Sequence, residues 1–251
     1  MDDNGSAMAA SNPTAARPIW ARPEPAARHP RFSRDQIAAA ALSIADADGF
    51  AALTMRRVAA ALGAGTMSLY RYIETKEDLL ALLDDAILGE AVVAGELPAD
   101  WRDATALIAL RSRQAYLRHP WAIQALQGRA APASAGPNGA RHMEQCLAAL
   151  AGSPLSVRGR LDLLAIVDDY VYGHVLRAAE VADDAAAGSG AAAAVELARS
   201  RIAAGDLPRL AALAADPAVR ALADPAELEA RFERGLRLLI DGAAAGLLPG
   251  E

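Results

Sequence analysis

The chain has 251 residues, 53% of them hydrophobic but only 4% aromatic, and 25 cationic against 31 acidic side chains leave a net charge of −6. A single cysteine, Cys146, rules out an internal disulfide and fits a reducing cytoplasm. The apolar runs are broken by Asp or Arg and the Asp2-Asp3 start lacks a leader-like apolar segment, so neither export nor membrane insertion is expected. Alanine dominates, Val and Ile are sparse, and no Val/Ile/Thr run alternates, which points to an all-α protein.

In chain order, residues 1–30 are rich in Ala, Pro and Arg without helical period and are expected to be a disordered arm. Its Arg17, Arg22, Arg28 and Arg31 suit a minor-groove contact, with a merely flexible leader as the simpler reading. Residues 31–80 read as a three-helix domain. Ser33-Arg34-Asp35-Gln36 is a capping box opening a first helix with Ile37, Ala41 and Ile44 inward. Met55, Val58, Ala59 and Leu62 then form the apolar stripe of a short second helix. Gly63-Ala64-Gly65 supplies a sharp turn, and a helical pattern restarts over residues 66–73.

Two short helices crossed by so tight a turn are a helix-turn-helix, and the second one projects. Its outward set of Thr66, Met67, Ser68, Tyr70 and Arg71 combines hydroxyls, a thioether, a ring and a guanidinium suited to base edges, thymine methyls and phosphates. Thr75-Lys76-Glu77-Asp78 is a second capping box, which places the only lysine of the chain, Lys76, where a DNA backbone would run. Charge agrees with this placement. Residues 17–76 carry nine cations and five acids, whereas residues 81–251 carry 16 and 22.

The run T-M-R-R-V-A-A-A-L-G, followed by S-L-Y-R-Y and T-K-E-D-L-L, resembles the tetracycline-repressor family of bacterial transcriptional regulators over about residues 33–90. The resemblance implies that Thr54 and Arg56 approach the backbone or groove edge, that Thr66, Met67 and Ser68 read bases, and that Tyr70, Tyr72 and Lys76 clamp phosphates of double-stranded DNA. It also implies a homodimer and release from DNA by a small-molecule effector, with repression the commoner behaviour.

Residues 81–251 read as a larger helical ligand-binding and dimerisation domain. Helix four is expected over residues 76–94, a fifth from about 100 to 119, a short sixth over 121–127, a loop over 128–139 and a seventh over about 140–151. A long eighth over residues 156–182 is apolar on two sides, hence covered on two sides. Residues 183–194 are low-complexity Ala/Gly/Ser and expected to be mobile. Asp224-Pro225-Ala226-Glu227 opens a last helix, whose Gly235, Gly242 and Gly246 permit close approach, and the homodimer is expected through residues 156–182 and 224–247. Tyr116, Trp121, Met143, Cys146, Tyr170, Tyr172 and His174, with Asp168 and Asp169, are the candidate lining of an effector cavity for a small, largely apolar molecule.

Two other classes compete. A helical enzyme would use His119, His142 and His174 with Asp168 and Asp169, yet no zinc-protease helix, nucleophile elbow or phosphate loop accompanies them, and neither cofactor nor metal is expected. A helical interaction module without DNA binding would keep the same architecture.

Overall fold

The computed structural model describes residues 19–24, 32–126, 136–187, 190–217, 219 and 225–246. Among them the chain forms eleven α-helices and two short 3-10 turns, Ile19–Ala21 and Phe50–Ala52. The expected arm positions Arg17, Arg28 and Arg31, most of the 128–139 loop and the Asp224 cap lie outside the described residues.

Helix α1 (Arg34–Asp48) starts as its sequence dictates, with the Ser33 N–H donating to Gln36 Oε1 at 2.9 Å and the Gln36 N–H to Ser33 Oγ at 3.2 Å. Helix α2 (Met55–Ala61) is capped by Thr54, whose hydroxyl accepts from the Arg57 N–H at 3.3 Å. Gly63, at φ +61°, turns the chain into α3 (Thr66–Leu69). The regular helix is shorter than the pattern over residues 66–73 suggests, and a tight turn carries the chain on, with the Tyr72 and Ile73 N–H groups both donating to Leu69 O. Helix α4 (Lys76–Ala91) opens on the Thr75–Asp78 capping box. Ile37, Ala41, Val58, Leu69, Ile73 and Leu83 close the core beneath these four helices.

That core does not stop at the head. It continues through α4 to α5 (Trp101–Arg118) and α6 (Pro120–Leu126), so Ile87, Tyr116, Ala122 and Ile123 belong to the same cluster as the head residues. A separate core joins α5, α8 (Val157–Ala187) and α11 (Pro225–Gly246) through Leu163, Val167, Val171, Phe232, Leu236 and Ile240. Helix α7 (Pro137–Ala149) packs on α4 and α5, its first turn held by the buried Asp85 carboxylate, which accepts from the Asn138 and Gly139 N–H groups at 2.9 Å each. No residue of α10 (Pro208–Ala215) is buried, and α9 (Gly190–Ala203) exposes Val195 and Leu197.

One expectation is overturned. Within the supposed disordered arm, Ile19 is only 1% exposed in the head core, and Arg22 pairs with Glu74 at 2.6 Å and with Asp78 at 2.5 Å, so this arginine is committed inside the molecule rather than to a groove. Of the Ala/Gly/Ser run after residue 182, the part to Ala187 and the part from Gly190 are helical, in keeping with the high intrinsic helix propensity of alanine.

Candidate nucleic-acid interface and effector cavity

The helix-turn-helix presents one continuous exposed surface. Met67 is 79% exposed, Tyr70 48%, Thr54, Arg56, Arg71 and Lys76 are exposed, and Thr66 and Ser68 are half-buried at the start of α3. A bulky thioether so fully in solvent carries no packing role, whereas a thymine methyl gives it a partner. Lys76 holds its Nζ 5.5 Å above the Phe50 ring at the mouth of the α4 N-terminus, between the head turn and α3. Arg57, by contrast, is bound to Asp48 and donates to Ala52 O, and so braces α2.

Tyr72 does not take the phosphate-clamping place. It is 6% exposed with its ring 5.0 Å from that of Phe32, because the turn after Leu69 rotates residue 72 inward while residue 70 stays out. Thr54 has a prior duty as the cap of α2, which leaves its exposed hydroxyl already accepting one hydrogen bond.

In the body, a small cavity of about 20 Å³, room for one water molecule and open to the surface at Asp168, lies between α5, α7 and α8. Its polar lining is Thr105, Ser112, His142, Cys146 and Asp168, and Ile108, Leu164 and Val167 supply apolar wall. Burial pushes the Cys146 thiol up to about 12 and lowers the His142 imidazole below its ordinary value. Asp168 is raised to about 6, first by loss of solvation and then by the neighbouring Asp169, although part of its side chain reaches solvent at the cavity mouth.

Of the expected lining, only Cys146 and Asp168 reach this cavity. Tyr116 and Tyr172 pair hydroxyl to hydroxyl at 2.9 Å, and burial raises Tyr172 to about 12. Tyr170 stacks on Phe232 at 5.0 Å and donates its hydroxyl to Phe232 O, and His174 packs 4.6 Å from the same ring, so both serve the α8–α11 seam. Met143 lies half-exposed on the outer side of α7, and Trp121 is drawn to the head by Phe50 and Asp46. Thr105 and Ser112 escaped the sequence reading because small polar residues on an alanine-rich helix give no periodic signal, and His142, read there only as a candidate catalytic group, joins them from α7.

A helix-turn-helix with its turn in solvent, carried on an all-helical body, defines a DNA-binding transcriptional regulator. Residues 37–83 match the family model described as bacterial regulatory proteins, tetR family, and residues 94–247 the tetracyclin repressor-like C-terminal domain. The chain belongs to the tetR family of bacterial regulatory proteins.

An HTH-type transcriptional regulator of Saccharopolyspora erythraea is 36% identical over 231 residues, 90% of this chain and 91% of that one. The HTH-type transcriptional repressor DrrR1 of Streptomyces coeruleorubidus is 38% identical over 149 residues, 57% of this chain and 53% of its own. Among solved structures, apo ActR of Streptomyces coelicolor superimposes with a TM-score of 0.65 at 27% identity, over 88% of this chain and 98% of its own. ActR in complex with actinorhodin gives 0.63 at 28% identity, over 86% and 97%. No helix among the described residues is long and apolar enough to cross a membrane.

Proposed function

We propose that the chain is a cytoplasmic, homodimeric repressor with no catalytic activity of its own, which holds a palindromic operator and leaves it when a small, largely apolar effector enters the α5–α7–α8 cavity. The observation that carries the reading is the solvent-facing set Met67, Tyr70, Arg71 and Lys76 on a rigidly packed head. Thr66, Met67 and Ser68 read base edges, Arg56, Tyr70, Arg71 and Lys76 hold phosphates, and Thr54 touches the groove edge through what remains of its hydroxyl. The dimer forms through α8 and α11, whose Val157, Leu161, Leu228 and Leu238 are exposed in the single chain. An effector larger than water widens the cavity by moving α7 against α4, and α4 carries that movement to the head.

ActR, which resembles this chain over most of its length, binds actinorhodin and (S)-DNPA, and these two compounds are the first effectors to try. The test is a mobility shift with a duplex selected by the wild-type protein from a random library. Tyr70→Ala and Lys76→Ala should each weaken binding without loss of helicity. Equal binding by all three proteins to every duplex would reject the proposed reading surface.

A further inference from the structure

At the corner between α5 and α6, the 6%-exposed His119 ring stands between two carboxylates from different elements. Its Nδ1 is 2.8 Å from Asp46 Oδ1 on α1, and its Nε2 is 3.2 Å from Glu90 Oε1 on α4. The same Asp46 oxygen accepts from Trp121 Nε1 at 2.8 Å, and Trp121 stacks on Phe50 with centroids 5.5 Å apart and planes 9° from parallel. Phe50 in turn lies under the Lys76 ammonium, at the edge of the DNA-facing surface. Behind Glu90, Arg118 donates to Oε2 through Nε at 2.9 Å and Nη2 at 2.5 Å. Asp46, Glu90 and Arg118, from α1, α4 and α5, are the charged groups hydrogen-bonded within this cluster.

A neutral imidazole carries one N–H, and an ionised carboxylate only accepts. Both ring nitrogens facing carboxylates can be satisfied together only by the imidazolium. When the proton leaves, a lone pair confronts a carboxylate on one side, inside a site almost closed to solvent, and one of the two bonds is lost. Asp46 lies on α1 and Glu90 on α4, so whichever of the two bonds is lost, the bridge that ties α1 to α4 through the α5–α6 corner is broken.

We propose that His119 is a proton-operated joint between the DNA-binding head and the regulatory body. Protonated, it fixes α1 and the Phe50 turn against α6 and sets the direction of the reading surface. Deprotonated, it breaks the bridge between α1 and α4 and lowers affinity for the operator. His119 is a positioning residue, since it reaches DNA only through Asp46, Trp121, Phe50 and Lys76.

The experiment uses the full chain and a duplex selected from a random library at about pH 6, with dissociation constants measured between roughly pH 6 and pH 8 at fixed ionic strength. The wild type should weaken by about tenfold more across this range than His119→Gln, which cannot take up a proton. Asp46→Asn keeps an oxygen for Trp121 but removes the charge, should flatten the profile in the same way, and carries the comparison if His119→Gln does not fold. In nitrogen–proton correlation spectra, the His119 ring should show two hydrogen-bonded N–H groups at the acid end and one at the alkaline end. Parallel affinity profiles for wild type and variants, a wild-type affinity that rises with pH, or a single N–H throughout would overturn the proposal.

Discussion

Two tyrosines separated by one residue do opposite things. Tyr70 is half in solvent beside Lys76, and Tyr72 is folded under against Phe32. Tyr72→Ala should therefore destabilise the fold by about 3–5 kcal/mol, as removal of a buried aromatic ring does, and chemical denaturation measures it. Tyr70→Ala should leave the denaturation midpoint in place and weaken the operator complex by about 1 kcal/mol or more. The reverse assignment of effects would place Tyr72 on the DNA side of the turn after Leu69 and Tyr70 in the core. Asp168 supports a prediction of different sign. Its folded-state value of about 6 stands above the ordinary carboxylate range, so folding favours its protonated form. The unfolded chain gives up the proton first as pH rises, and stability is lost between the two values and stays lost above pH 6. Asp168→Asn should thus be more thermostable than wild type at neutral pH and no different well below the unfolded value, in melting curves taken across that range.

Elements follow from local chemistry wherever a cap announces them. Thr75→Ala removes the side chain that accepts the Asp78 N–H and should cost about 1 kcal/mol of stability, while also loosening the first turn that aims Lys76. Differential calorimetry and the operator titration should therefore both respond, whereas a change in stability alone would separate Lys76 from the interface. The capping boxes at Ser33 and Thr75, the Asp100 cap of α5 and the Gly63 turn are all legible because each is settled within four residues of sequence. What could not be read depends on partners far along the chain. Arg22 looks like a free basic arm until Glu74 and Asp78, some fifty residues on, are folded beside it. Trp121 looks like cavity lining until Asp46, 75 positions earlier, accepts its indole N–H. Cavity walls suffered most, since Thr105, Ser112 and His142 converge only through the crossing of α5 and α7.

At the scale of the whole molecule, an overall charge of −6 would repel DNA were it evenly spread. Arg22 and Arg57 are held in internal pairs, so among the described residues the cations left to meet phosphate on each head are few, with Arg56, Arg71 and Lys76 on the exposed side. A single head with three such contacts binds weakly, and two heads joined rigidly convert the second contact into an intramolecular event. The proposed pairing of α8 and α11 is thus a condition of useful affinity. On α11, Phe232, Leu236 and Ile240 face the body and are buried, while Leu238, on the opposite side, is 74% exposed and Leu228, toward the helix start, is 46% exposed. On α8, Val157 and Leu161 are likewise left in solvent at 75% and 53%. A charge placed among them has nothing to disturb within one chain but would be buried without a partner between two. Leu238→Glu and Leu161→Glu should therefore retain wild-type helicity, halve the mass measured by light scattering and lose tight operator binding together. Variants that stay dimeric and bind as before would place the subunit contact elsewhere on the body.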